Sequence, residues 1–189
     1  MITYLESDIR EIVENLGATG RKLAGSTILL TGASGFLGKY FMAVFSELGR
    51  QFPDLEARII AIDNYTTSDR QSVANADIGE NVEWIYADAK IASELPDRFD
   101  YIIHAAGIAS PQHYRARPLE TVYVAVDVTR SLLEKAREDN ARLLFFSSSE
   151  IYGDPIPTEV PTKESYRGNV ASRGPRACYD ESKRLGETL

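Results

Sequence analysis

Residues 27–38 read TILLTGASGFLG, and this stretch decides the fold. TILLT is a short apolar run of strand length, whereas FLGKYFMAVFSEL (36–48) carries Phe36, Tyr40, Phe41, Val44 and Leu48 at helical spacing. Between strand and helix, Gly32, Gly35 and Gly38 stand in the spacing GxxGxxG. Gly32 permits a tight turn, Gly35 lets backbone approach a pyrophosphate, and Gly38 lets the helix lie close to the sheet. The start of that helix supplies amide donors and a partial positive charge for an anion.

The same alternation continues outward. ARIIAID (57–63), VEWIYAD (82–88), FDYIIHAA (99–106) and ARLLFFSS (141–148) read as further strands, and a helix over 119–138 separates the last two. Strands alternating with helices predict an α/β domain whose parallel sheet is covered on both faces, with ligands outside the carboxyl ends of the strands. Ahead of it, Ile9, Ile12, Val13 and Leu16 predict a short amphipathic helix over 8–16, with Asp8 and Glu11 as a capping pair and Gly17 as the stop. ATGRKLAGS (18–26) reads as a linker. The expected division is an extension and linker over 1–25 and one domain over 26–189.

Composition narrows the partners. The 189 residues are 43% hydrophobic and 26% charged with net charge −7, an ordinary globular balance without the basic surface that holds nucleic acid. The longest apolar runs fall far short of the ~20 residues that cross a bilayer, so no membrane span is expected. Cys178 is the lone cysteine, and MITYLESDIREIVE lacks the pattern of a secretory signal; a cytoplasmic location is the expectation.

Asp63 ends the second strand, 31 residues after Gly32. A carboxylate there accepts hydrogen bonds from adenosine ribose hydroxyls and repels a 2′-phosphate, which favours NAD over NADP; the alternative is an aspartate that caps the turn in DNYTTSD. Arg70 nearby would moderate that preference. Asp88, ending the third strand, is placed to hold the adenine amino group or simply to cap a strand end. HAAGIASPQHY (104–114) contains both histidines, but it has no cysteine and no third ligand beside them, which argues against a metal site. Its small residues Ala105, Ala106 and Gly107 let a cofactor approach the backbone beyond the fourth strand.

The proton-transfer candidates lie later. Tyr179 and Lys183 in CYDESKRLGETL are four apart and share a helix face. A phenol beside an ammonium is favoured as the phenolate, able to take a proton from an alcohol near neutral pH. In SSSEIYGDP, Ser147, Ser148, Ser149 and Glu150 follow the fifth strand, where Ser148 could share a hydrogen bond with a reacting oxygen and Glu150 could serve a second position. A turn-capping role is preferred for Ser147.

Together TGASGFLG, DNYTTS, HAAGIASPQHY, SSSEIYGDP and YDESK resemble the extended short-chain dehydrogenase/reductase family of nucleotide-sugar enzymes, and GNVASRGPRACYDESKR is similar to the motif GNVNPIGPRSCYDEGKR of its UDP-glucuronate decarboxylase branch. The resemblance runs over 26–189 and implies a Rossmann-type doubly wound sheet with NAD as cofactor. It implies cofactor contacts at Gly32, Gly35, Phe36, Leu37 and Gly38 in the turn. Further contacts would come from Asp63, Asn64, Asp88 and Ala89 beyond the second and third strands, and from Ala105 and Ala106. It makes Tyr179 the base and Lys183 its partner on the nicotinamide ribose, with Ser148 and Glu150 as the other catalytic groups. Ser110, Tyr114, Ser149 and Glu150 would meet the sugar, with Tyr114 rather than His113 near it through ASPxxY.

In related 4,6-dehydratases an aspartate stands where this chain has Ser149, which argues against water elimination. The implied substrate is a UDP-sugar, oxidised at C4 so that the C5 carboxylate leaves as carbon dioxide before hydride returns. A 4-epimerase using the same Tyr179, Ser148 and Lys183 is the alternative, and a non-catalytic NAD-binding module is the alternative of another class. Departures from the family are Ala125 and Val128 in VAVDVT, where VNxxGT is usual, and Ala171 and Arg173 for the usual Asn and Ile. Family members continue for more than ~100 residues beyond the tyrosine helix. The expectation is therefore a fragment without the C-terminal substrate domain and inactive alone. A homodimer through the 119–138 helix and the helix ending at Leu189 is expected by the same analogy.

Overall fold

Strand β1 (Thr27–Thr31) is buried at four consecutive positions and β2 (Arg58–Asp63) likewise at four. Successive strand side chains point to opposite faces, so unbroken burial requires a cover on both faces of the sheet. The computed structural model, which describes residues 6–68 and 79–189, has β3 (Val82–Tyr86), β4 (Tyr101–His104) and β5 (Arg142–Phe145) completing a sheet of order β3-β2-β1-β4-β5. The β1–β2, β2–β3 and β1–β4 pairs are parallel. All five expected strands are present. From β1 the chain winds outward to β3 and then crosses to β4 on the other side of β1, so the reversal lies between β1 and β4. In open α/β sheets that is where ligands bind, beyond the carboxyl ends of the strands.

The described residues pack as two compact units, Met1–Ala106 with Leu132–Leu144 and Gly107–Ser131 with Phe145–Leu189. The first is built on the sheet. Leu29, Leu30, Ile60, Ala61, Ile62, Phe99 and Ile102 are fully buried in it. Helix α1 (Glu6–Leu16) buries Ile9 and Val13, and α2 (Phe36–Gln51) follows the glycine turn. The expected capping pair is not formed: Asp8 lies inside α1, and its carboxylate accepts the Tyr40 hydroxyl of α2 at 2.9 Å. The expected linker is ordered too, because Gly17–Leu23 forms a 3₁₀ helix in which buried Gly20 meets Leu48. Sequence polarity hid this, since the contact needs only a missing side chain.

In the second unit, α3 (Pro111–Ala116) and α4 (Pro118–Tyr123) precede a π-helical stretch at Val124–Val128; the following α5 (Thr129–Asp139) belongs to the first unit from Leu132 on. A plain helix is the sequence expectation for 119–138. The widened turn instead has Thr129 Oγ1 donating to the Ala125 carbonyl at 2.9 Å, a side-chain bond that competes with the backbone ladder. Helix α6 (Ala177–Thr188) packs against α4 and this stretch. The contact is close because a Cβ at Gly186 would lie 2.5 Å from the Phe145 ring and 3.1 Å from the Ala125 carbonyl. No helix among the described residues is long and apolar enough to cross a membrane.

The tightest steric demand sits at the start of α2, where a Cβ on Gly38 would stand 2.2 Å from the Gly32 carbonyl oxygen. Gly38→Ala is therefore expected to lower unfolding stability by at least about 2 kcal/mol in urea titration. An unchanged midpoint would contradict the packing described.

Candidate active site

The first unit carries the glycine turn. Gly32 has φ +73°, and a Cβ on it would lie 2.5 Å from the Ala106 nitrogen and 2.6 Å from the Ala105 carbonyl carbon. Backbone thus presses on backbone where β1 and β4 end, and Ala105 and Ala106 adjoin the turn. Gly35 is the N-cap of α2 and provides no side-chain bond to the helix, so the first-turn amides, including those of Phe36, Leu37 and Gly38, have no side-chain cap there. The Phe36 and Leu37 side chains are exposed.

Asp63 is half-buried beside this turn. One of its oxygens accepts the Ser34 amide at 2.9 Å and the other the Tyr65 amide at 2.7 Å. It therefore braces the glycine turn and its own turn together, while each carboxylate oxygen retains acceptor capacity for a ribose hydroxyl. The turn-capping reading of Asp63 describes these two bonds. The Ser34 hydroxyl, buried within the turn, bonds to the Ser68 hydroxyl, a tie that the sequence did not signal. Asp88 caps the short helix that begins at Ala89, accepting the Lys90 amide at 2.9 Å, and the Asn64 amide group donates to it at 3.3 Å. Arg70 lies outside the described residues. His104 ends β4 fully buried, its Nδ1 2.7 Å from Thr31 Oγ1.

The second unit carries the residues that the sequence reading proposes for proton transfer. Tyr179, Ser182, Lys183 and Gly186 form the buried stripe of α6. Lys183 is only 6% exposed; its Nζ donates to the Phe146 carbonyl at 2.5 Å and lies 4.7 Å from the Phe145 ring centre and 5.9 Å from that of Tyr179. Burial lowers the Lys183 ammonium from 10.5 to about 8. Tyr114 is 2% exposed and stacks on the Tyr179 ring with centroids 5.4 Å apart and planes 13° from parallel. Tyr114, which the sequence reading puts near the sugar, is here packed against the ring of Tyr179. Ser110 precedes α3, exposed and without a side-chain cap bond.

Ser148 and Glu150 share one turn. The Ser148 hydroxyl accepts the Glu150 amide at 3.3 Å and caps the 3₁₀ segment Ser149–Tyr152. The capping role expected of Ser147 thus falls to Ser148, and Ser147 Oγ is buried with no hydrogen-bond partner among the described residues. The segment is fixed from behind: Gly153 has φ +66° and bridges Asn169, and Arg184 Nη1 donates to the carbonyls of Ile151 at 2.7 Å and Arg167 at 3.2 Å. Two sequence motifs, SSSEIYGDP and GNV, are therefore paired through backbone. The Glu150 carboxylate accepts from Arg176, which begins α6. A groove of about 920 Å³ runs along another side of α6, lined by Val122, Val126, Tyr166 and Leu185 among others, without Tyr179 or Lys183.

Comparison with known proteins shows the family of the chain. Residues 28–189 match the model of the family described as NAD dependent epimerase/dehydratase. UDP-glucuronic acid decarboxylase 2 of Arabidopsis thaliana is 35% identical over 185 residues, covering 95% of this chain and 39% of that protein. UDP-glucuronic acid decarboxylase 1 of Danio rerio is 37% identical over 163 residues, covering 86% and 36%. Among solved structures, a UDP-N-acetylglucosamine 4-epimerase of Methanobrevibacter ruminantium is 25% identical with TM-score 0.66, covering 87% of this chain and 49% of that one. A dTDP-glucose 4,6-dehydratase of Streptomyces venezuelae, solved with NAD bound, shares the fold at 23% identity and TM-score 0.67, covering 86% and 49%. The chain spans less than half the length of each.

The depressed Lys183 value sets a pH test. Between about 8 and 10.5 the folded chain binds fewer protons at this site than the unfolded chain, so its contribution to stability rises with pH, by on the order of 3 kcal/mol across the window. Urea titrations at pH 7.5 and pH 10 should show this rise in the unaltered chain and lose it in Lys183→Met. An equal pH response in both would contradict a buried ammonium.

Proposed function

The chain belongs to the NAD dependent epimerase/dehydratase family, and from that premise we propose that it carries cofactor-binding and proton-transfer residues of a UDP-glucuronate decarboxylase. The supporting observation is the combination in α6 and its neighbouring turn: buried Tyr179 and Lys183, with Ser149 standing between Ser148 and Glu150 where a dehydratase would need an aspartate. A module that only bound NAD would need the glycine turn but none of these groups.

The first unit fits NAD. The cradle at Gly32, Gly35 and Gly38 is space that a Cβ would fill, the start of α2 offers amides to a diphosphate, and Asp63 offers acceptors to a ribose while repelling a 2′-phosphate. When bound, NAD supplies a reversible hydride acceptor.

The remaining chemistry belongs to the chain's own side chains. Tyr179 takes the proton of the C4 hydroxyl as that carbon is oxidised. Its ring is held by Tyr114, so the hydroxyl needs little reorganisation. Lys183 remains largely cationic at pH 7 and sets a positive charge beside the Tyr179 ring. Ser148 shares a hydrogen bond with the reacting oxygen. Once C4 is a ketone, the C5 carboxylate is β to a carbonyl, and carbon dioxide leaves with its electron pair delocalised into an enolate. Glu150 serves the second position, where C5 must regain a proton before C4 is reduced. The 35–37% identity with UDP-glucuronic acid decarboxylases supports this choice of substrate.

The protein purified at its natural full length should release carbon dioxide and form UDP-xylose from UDP-glucuronate with catalytic NAD; a 4-epimer without gas would make it an epimerase instead. In calorimetric titration NAD should bind more tightly than NADP, and Asp63→Ala should weaken NAD at least about tenfold. Tighter binding of NADP to the unaltered chain would overturn the role given to Asp63.

A further inference from the structure

Arg176 stands at the N-cap of α6, three residues before Tyr179, and its carbonyl accepts the Tyr179 and Asp180 amides at 2.9 and 3.1 Å. A guanidinium at this end of a helix opposes the helix dipole, so its position calls for compensation. Two carboxylates provide it. Arg176 Nη2 pairs with Glu150 Oε2, and Arg176 Nε lies 3.5 Å from Asp180 Oδ2. The Asp180 side chain is only 10% exposed, against 36% for Glu150 and 45% for Arg176, and Asp180 Oδ1 is buried with no hydrogen-bond partner among the described residues. A buried carboxylate with one oxygen unpartnered is costly, and the neighbouring guanidinium offsets that cost.

We propose that Arg176 is a positioning residue, anchored by Asp180 and holding Glu150 in the geometry in which it serves the reaction. The inference rests on the role given to Glu150 above. The planar fork suits this work, since Nε and Nη2 address two carboxylates at once and so fix the direction of the Glu150 carboxylate as well as its charge. Among the described residues Glu150 is otherwise tied only through its backbone: its amide to Ser148, and its carbonyl to the Gly153 amide at 3.0 Å. Without Arg176 its side chain would have no described partner to orient it. Asp180 is one residue from Tyr179, so base and glutamate are referred to the same helical turn. The ordinary structural explanation, an ion pair that merely closes the start of α6, predicts a loss of stability without a specific loss through Glu150.

The test is a mutant cycle in the full-length protein, scored on whichever UDP-sugar the unaltered protein converts. Arg176→Ala should lower kcat at least about tenfold with KM changed less than about twofold, and added guanidinium ion should restore part of the rate. Asp180→Asn, which keeps the shape and removes the anchoring charge, should fall between Arg176→Ala and the unaltered protein. Circular dichroism establishes that each variant is folded before rates are compared. In a Glu150→Gln background, Arg176→Ala should cost little further, because its effect passes through Glu150. An equal loss from Arg176→Ala in both backgrounds, or a raised KM with unaltered kcat, would overturn the positioning role alone. Turnover of no UDP-sugar by the unaltered protein would overturn the function proposed above and this inference with it.

Discussion

The first unit depends on two places where the chain has no room for a Cβ. At Gly32 the backbone leaving β1 presses against Ala105 and Ala106 beyond β4, and at Gly38 the new helix sits on the Gly32 carbonyl. These approaches set where α2 begins and therefore where its uncapped amides lie, at the reversal of strand order. Asp63 makes the arrangement stiffer, because one carboxylate accepts from both the glycine turn and the turn after β2. Replacing Asp63 would therefore loosen both turns at once.

The second unit is organised around a different constraint, the burial of charge. Lys183 is enclosed by two aromatic rings and a carbonyl, an environment that lowers its affinity for a proton while leaving it mostly charged near neutrality. Asp180, buried one residue from Tyr179, is compensated by Arg176. Such groups are poor choices for stability alone. They are concentrated around one turn of α6.

Much of this was legible in the sequence because it is written in local pattern. The five strands are short apolar runs, GxxGxxG lies between a strand and a helix, and Tyr179 and Lys183 have helical spacing. The features that escaped depend on tertiary contact. Tyr114 became the backing of Tyr179 through a stack across 65 residues, and Arg176 found Glu150 across 26. The ordering of 17–23 and the widened turn at 124–128 arise from close packing, which leaves no periodic trace. Gly186 did leave one, since a glycine seven residues after Tyr179 on the same helix face marks a close approach, met here by Phe145 and Ala125.

The central claim is that C4 is oxidised and reduced again around a decarboxylation at C5. Running the full-length protein with UDP-glucuronate in deuterium oxide and locating the label in the product by NMR addresses it directly. The account predicts a UDP-pentose with one solvent deuteron at C5 and none at C4, because the enolate takes its proton from exchangeable groups whereas the hydride returns unexchanged. Solvent deuterium at C4, or a UDP-pentose with no deuterium at C5, would contradict it.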